Sequence, residues 1–178
     1  MGILDNSLLA GSFASEVMKE NAQRLEIFDI YHCLRRASFS SAIKAQEQLG
    51  TIPKSFLEWM KICDGGLLFD TVMLSSKAHD NELDLDFATF EDYNTTEARE
   101  EMLLPDGYSV FAVKSYGDPI CFNTLKNDGK VYLWNVENAE FDEIWDSFED
   151  WLTDEIDVAI LLIGDDVLEP LEIKLGDE

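Results

Sequence analysis

The stretch Thr51-Ile-Pro-Lys-Ser-Phe-Leu-Glu-Trp-Met-Lys-Ile-Cys-Asp-Gly-Gly66 decides how the chain is read. Pro53 suits the first turn of a helix, where its missing N–H has no intrahelical partner to lose. Phe56, Leu57, Met60 and Cys63 fall at i, i+1, i+4 and i+7, which is one apolar helical face. Gly65 and Gly66 tolerate left-handed backbone and predict an abrupt stop. The apolar run Leu67–Leu74 that follows at once reads as a buried strand. A helix reversing through two glycines into a strand is therefore the seed from which the rest is placed.

Upstream, Phe13, Val17, Leu25, Phe28 and Ile30 recur among polar residues and predict one or two helices over 13–33. Ser40 or Ser41 caps a helix through Leu49, which Gly50 ends. Downstream, a helix is expected over Phe90–Met102, with Thr89 or Asp92 near its start, and Pro105-Asp-Gly107 is a turn. Short strand-like runs follow at Ser109–Val113, Pro119–Asn123, Lys130–Trp134 and Phe141–Ile144. Asn127-Asp-Gly129 suits a hairpin, because such turns need positive φ. Ser147, with Asp150 three residues on, caps a closing helix over Phe148–Ile156 that can continue to about Ile163. Helices and strands are segregated along the chain. That pattern predicts an α+β fold, a mostly antiparallel sheet with helices packed on one side. There is no internal repeat and no Gly/Ser linker. A single domain over 1–178 is expected, with its core at about 40–155, a helical N-terminal extension and an acidic C-terminal one.

Nearly half of the residues, 46%, are hydrophobic, too many for an intrinsically disordered chain. Charge is the outlier: 37 acidic against 13 basic side chains give a net charge of -24. A polyanion is repelled by nucleic acid and by anionic lipid, so neither is an expected direct partner. A basic protein is the partner this charge favours; plain solubility is the alternative. The acidity is uneven. Residues 1–62 balance at seven acidic and seven basic side chains, whereas 137–178 hold sixteen acids and only Lys174. Cys33, Cys63 and Cys121 are widely spaced and form no CxxC pair, so three buried thiols in a reducing compartment are expected. The segment MGILDNSLLAGSF has Asp5 and no basic n-region, unlike a signal peptide, and the run Val158–Ile163 is too short to span a bilayer. A cytoplasmic protein is expected.

Catalytic signatures are missing from the sequence: no GxSxG, P-loop, GxGxxG or HExxH occurs. His32 and His79 are the only histidines; His32, beside Cys33, lacks other obvious donors, and His79 is expected in a solvated loop next to Asp80. Asp80, Glu82, Asp84 and Asp86, with Glu91 at position 12, have the spacing of a calcium loop. Leu85 stands at position 6, where that loop turns on a glycine. Leu83, Leu85 and Phe87 alternate with the acids, as in a half-buried edge strand. No catalytic residue, metal or cofactor is expected.

Several motifs in order resemble one family. Ile52-Pro53, Phe56, Leu57, Trp59, Met60 and Asp64-Gly65-Gly66 resemble the opening signature of the SUKH superfamily (Smi/Knr-like). Tyr93-Asn94 is similar to its short helical motif. Val110–Val113, Tyr116-Gly117-Asp118, Ile120 and Phe122 resemble its central hairpin. Lys130–Trp134 and Ser147-Phe148 with Trp151-Leu152 are similar to its later strand and closing helix. Asp64 replaces the family's usual asparagine, and Asn135 or Asn138 stands where histidine is common. The resemblance implies a non-catalytic α+β module. Many bacterial members are immunity proteins that bind and neutralise a cognate toxin, often a nuclease; others are adaptors or regulatory scaffolds. A nuclease cleft is basic because it holds phosphates, so an acidic surface can compete for it. On charge alone, the expected partner-binding residues are Asp80, Glu82, Asp84, Asp86, Glu137, Glu140, Asp142, Glu143, Asp165 and Asp166.

Overall fold

A computed structural model of the chain describes residues 13, 15–28, 31–33, 39–77 and 88–167. Among these the elements run α1 (Glu16–Phe28), β1 (Tyr31–Cys33), α2 (Phe39–Leu49), α3 (Lys54–Met60), β2 (Gly66–Leu68) and β3 (Thr71–Met73). Then come α4 (Phe90–Asn94), α5 (Thr96–Glu101), β4 (Tyr108–Lys114), β5 (Pro119–Asn123), β6 (Val131–Asn135), β7 (Glu140–Trp145) and α6 (Phe148–Val167). The strands form one sheet in sequence order, β1 to β7, and every neighbouring pair is antiparallel. The fold is α+β, as the segregated pattern predicts.

The seed segment forms with small shifts. Pro53 is the N-cap of α3, at φ -59° and ψ 144°, one position before the helix proper. Gly65 takes the left-handed turn at φ +78°, whereas Gly66 already pairs in the sheet, opposite Met73. The expected single strand over 67–74 is instead a hairpin. Its turn is Phe69-Asp70, with Phe69 at φ +50°, and the N–H of Ser115 donates to the Asp70 carbonyl at 2.7 Å. The expected helix over 90–102 is broken at Thr95. That residue is extended, at ψ 159°, and its hydroxyl accepts from the N–H of Ala98 at 3.1 Å, restarting the helix as α5. A threonine that caps from within a helical run competes with the helix it interrupts. Thr89 and Asp92 do form a reciprocal capping box on α4. Ser147 and Asp150 bond at the start of α6, which runs on to Val167. The strand β1 was not anticipated.

Phe56 lies at the centre of the core. Its ring centroid is 5.1 Å from those of Phe111 and Phe122 and 5.2 Å from that of Phe148. Phe111 and Phe122 stack at 4.1 Å. The seed helix thus meets the central hairpin and the closing helix at one point. From outside the central run, α1 adds Met18, Ala22 and Leu25 to the same core. Asn21 of α1 donates to Thr153 of α6 at 2.9 Å, and Arg24 pairs with Asp157.

Candidate functional site

Glu137, Glu140, Asp142 and Glu143 come together on the β6–β7 hairpin, and all four are exposed. Ala139 makes the tight turn at φ +52°. Asn135 shapes the hairpin twice: its Oδ1 accepts from the N–H of Asn138 at 2.9 Å, and its Nδ2 donates to Asp142 at 2.9 Å. Among the described residues β7 is the terminal strand of the sheet. Charged side chains on such an edge keep it from pairing with another chain by accident. They also set a negative field where a partner can approach. Asp165 and Asp166 fall in the last turn of α6, but their side chains lie outside what is described, as do Asp80, Glu82, Asp84 and Asp86 and the calcium-loop spacing.

Charge-based reasoning missed what lies beside these acids. Phe122 faces the helices, and Val131 opposite it shares that face. Tyr132 must then point to the other side of the sheet. There its ring stands edge-on to Tyr108 at 5.2 Å. Phe141 lies 4.7 Å from Tyr108, 5.4 Å from Tyr132 and 4.8 Å from Trp134. The Tyr132 hydroxyl donates to Asp128 at 2.6 Å. Burial first, then this bond, raise the pKa of the phenol and keep it protonated. Ile144, paired with Tyr132, is 55% exposed. The outer face of β4–β7 is therefore aromatic and aliphatic, with acids along its border. The alternation of Tyr132 and Trp134 about Leu133 was the available signal; composition drew attention to the carboxylates instead.

A buried polar network occupies the opposite part of the sheet. Lys114 Nζ lies 2.6 and 2.7 Å from the Glu155 carboxylate oxygens and 3.5 Å from Asp70. The Thr71 hydroxyl donates to Glu155 at 3.0 Å. Burial on its own would lower the Lys114 pKa, but the bond to Glu155 and the charges of Glu155 and Asp70 raise it overall. The ammonium thus bonds the carboxylates of Glu155 and Asp70 while Thr71 bonds Glu155, and the network clamps α6 to β3 and β4. Such a closed set holds structure and offers no reactive group. Among the described residues no three His, Cys, Asp or Glu side chains are placed to hold a metal ion, and no helix is long and apolar enough to cross a membrane. Cys121 is a free, buried thiol. Cys63 is disulfide-bonded, so the expectation of three reduced thiols is corrected. His79 lies outside the described residues, and His32 lies in β1.

A family model described as the SMI1 / KNR4 family (SUKH-1) matches residues 40–154. The chain belongs to the SUKH-1 family. No curated protein matches it. The SUKH-1 match includes the seed helix, the acidic hairpin and the outer aromatic face, and it leaves out α1, β1 and the last part of α6. The SUKH-1 signature residues serve the fold. Asp64, at the asparagine position, is fully buried and accepts from both the N–H and the hydroxyl of Ser76 at 2.7 Å. Asp118, beside Gly117, reaches across to the N–H of Val136, from which its carboxylate accepts at 3.1 Å. That bond ties the central hairpin to the acidic one.

Proposed function

We propose that this SUKH-1 chain is a non-catalytic binding protein of the toxin-immunity type. It captures a basic protein partner, a toxin domain such as a nuclease, on the acidic β6–β7 hairpin. The observation that carries this reading is the grouping of Glu137 in the β6–β7 turn with Glu140, Asp142 and Glu143 on β7, all exposed, beside Phe141 and Ile144. Acids supply steering and exclude like-charged partners, while rings and aliphatic carbons supply buried contact area. An acidic surface seated in a basic cleft blocks it against a polyanionic substrate. Action in the producing cell's cytoplasm is part of the proposal. The Cys63 disulfide then sets a condition, because a reducing cytosol opens most such bonds.

The test is a low-salt pull-down from the source cells with wild-type chain and with the double variant Glu140→Lys/Glu143→Lys. A single toxin-like partner, retained by the wild type, lost by the variant and inhibited on mixing, is the expected result. Recovery of housekeeping proteins alone, held equally by both chains, would replace the immunity reading with that of an adaptor.

A further inference from the structure

The end of α5 is unusual for its sequence. The N–H of Leu103 donates to the Glu100 carbonyl at 3.2 Å, and that of Leu104 to the Arg99 carbonyl at 3.0 Å. This pair of bonds closes a helix through one left-handed residue, where glycine is the ordinary occupant. Here that residue is Leu103, at φ +53°. A Cβ is strained in this conformation. Burial does not offset the strain, because Leu103 is 63% exposed. A strained backbone position that holds a large apolar side chain out in solvent points to a use for that side chain.

The surroundings say what kind of use. Thr96, Arg99, Glu100, Leu103, Leu104 and Asp106 bound a depression of about 440 Å³. Arg99 turns its guanidinium inward, onto the carbonyls of Tyr108 and Pro105. Among the residues that bound the depression the exposed charges are then Glu100 and Asp106, both negative. Leu125, 77% exposed, lies against Gly107 in the same loop, so close that a Cβ there would be 2.4 Å from Leu125 Cδ1. The Trp134 indole donates to the Met102 carbonyl at 2.8 Å, which joins the corner to the aromatic outer face.

We propose that the α5–β4 corner is a docking site in which Leu103 seats a large apolar side chain of a basic protein segment, with Glu100 and Asp106 pairing with its flanking Lys or Arg. The inference rests on the reading above that the partner is a basic protein, and it adds a second, apolar contact point to the acidic hairpin. A second copy of this chain fits poorly, since each carries a net charge of -24 and the corner itself is acidic. Apolar anchors surrounded by polar rims carry most of the affinity in such interfaces.

The test uses the full chain and two synthetic peptides of equal positive charge, one with leucines between its arginines and one with serines there. Binding is read by fluorescence anisotropy at low salt, alongside the melting temperature. The wild type is expected to bind the leucine peptide about tenfold more tightly than the serine peptide. Leu103→Gly is expected to raise the melting temperature, by removing the strained Cβ, and to abolish that preference. Leu103→Asn, which tolerates the same backbone, abolishes it too. Retention of the preference in both variants, or its absence in the wild type, overturns the docking site and leaves the charge-driven reading standing. Failure of both peptides to bind the wild type at low salt overturns both.

Discussion

The side-chain amide of Asn94 holds both backbone groups of Val110: its Oδ1 accepts from the Val110 N–H at 2.8 Å and its Nδ2 donates to the Val110 carbonyl at 2.9 Å. β3 pairs with β4 only as far as Ala112, opposite Met73. Leu74 carries the backbone bonding one step on, to the Phe111 carbonyl, and the Asn94 amide then stands in for the next strand residue. The same Nδ2 also bonds the Phe90 carbonyl at 2.7 Å, which closes α4 onto the sheet.

Replacement of Asn94 by alanine therefore strands a buried N–H and a buried carbonyl. Each unsatisfied group costs about 1–3 kcal/mol. Urea unfolding of Asn94→Ala should show a loss of roughly 2–6 kcal/mol, on the basis of those two groups. A change within about 0.5 kcal/mol, the usual surface range, would show that the amide is dispensable.

Lys114 and Glu155 are both nearly buried, with side-chain exposures of 10% and 7%. Removing the cation alone, as in Lys114→Met, leaves a carboxylate without its counter-charge and should cost about 3–5 kcal/mol. Replacing both, as in Lys114→Met/Glu155→Leu, should recover most of that loss. The Lys114 pKa is raised in the folded state. Its stabilisation is thus complete below pH 10.5 and is lost as pH rises through the higher folded value. Wild type should lose stability in that alkaline range more steeply than the double variant, which thermal melts across pH would reveal.

The cysteines give a count that can be checked directly. Burial pushes the Cys121 thiol far up, so in the native protein it should resist thiol reagents. In denaturant without reductant, Ellman titration should find fewer thiols per chain than the three expected after reduction, since Cys63 is disulfide-bonded and the sequence holds three cysteines. Reduction should lower stability by about 2–4 kcal/mol. Three thiols before reduction would remove the disulfide from the account.

Two turn glycines separate strain from crowding. Gly129 has φ +73° with nothing within 4 Å of an added Cβ, while Gly107 has φ +83° with Leu125 in the way. Gly129→Ala should cost about 1 kcal/mol, the left-handed penalty alone. Gly107→Ala should cost more, and Leu125→Ala in the same chain should bring it back to the Gly129 level. Equal costs in chemical denaturation would mean that Leu125 simply swings away.

The seed helix, the Gly65 turn, the hairpin strands and the Ser147 cap were legible from the residues alone, because each follows from local spacing, turn chemistry or capping within a few residues. The sequence also made the chain acidic at its C-terminal end and placed Glu137, Glu140, Asp142 and Glu143 close together. Local pattern could not show that Thr95 would break a helix, or that Phe69 would split a strand, since both outcomes depend on what packs against them. Tertiary structure alone decided the rest: that β7 is the terminal strand, that Tyr108 and Phe141 meet across it, that Asn94 continues the sheet, and that Leu103 is held out in solvent. These are contacts between residues far apart in the chain. Side-chain packing and the need to pair every buried backbone group select them, and neither constraint has a signature in adjacent residues.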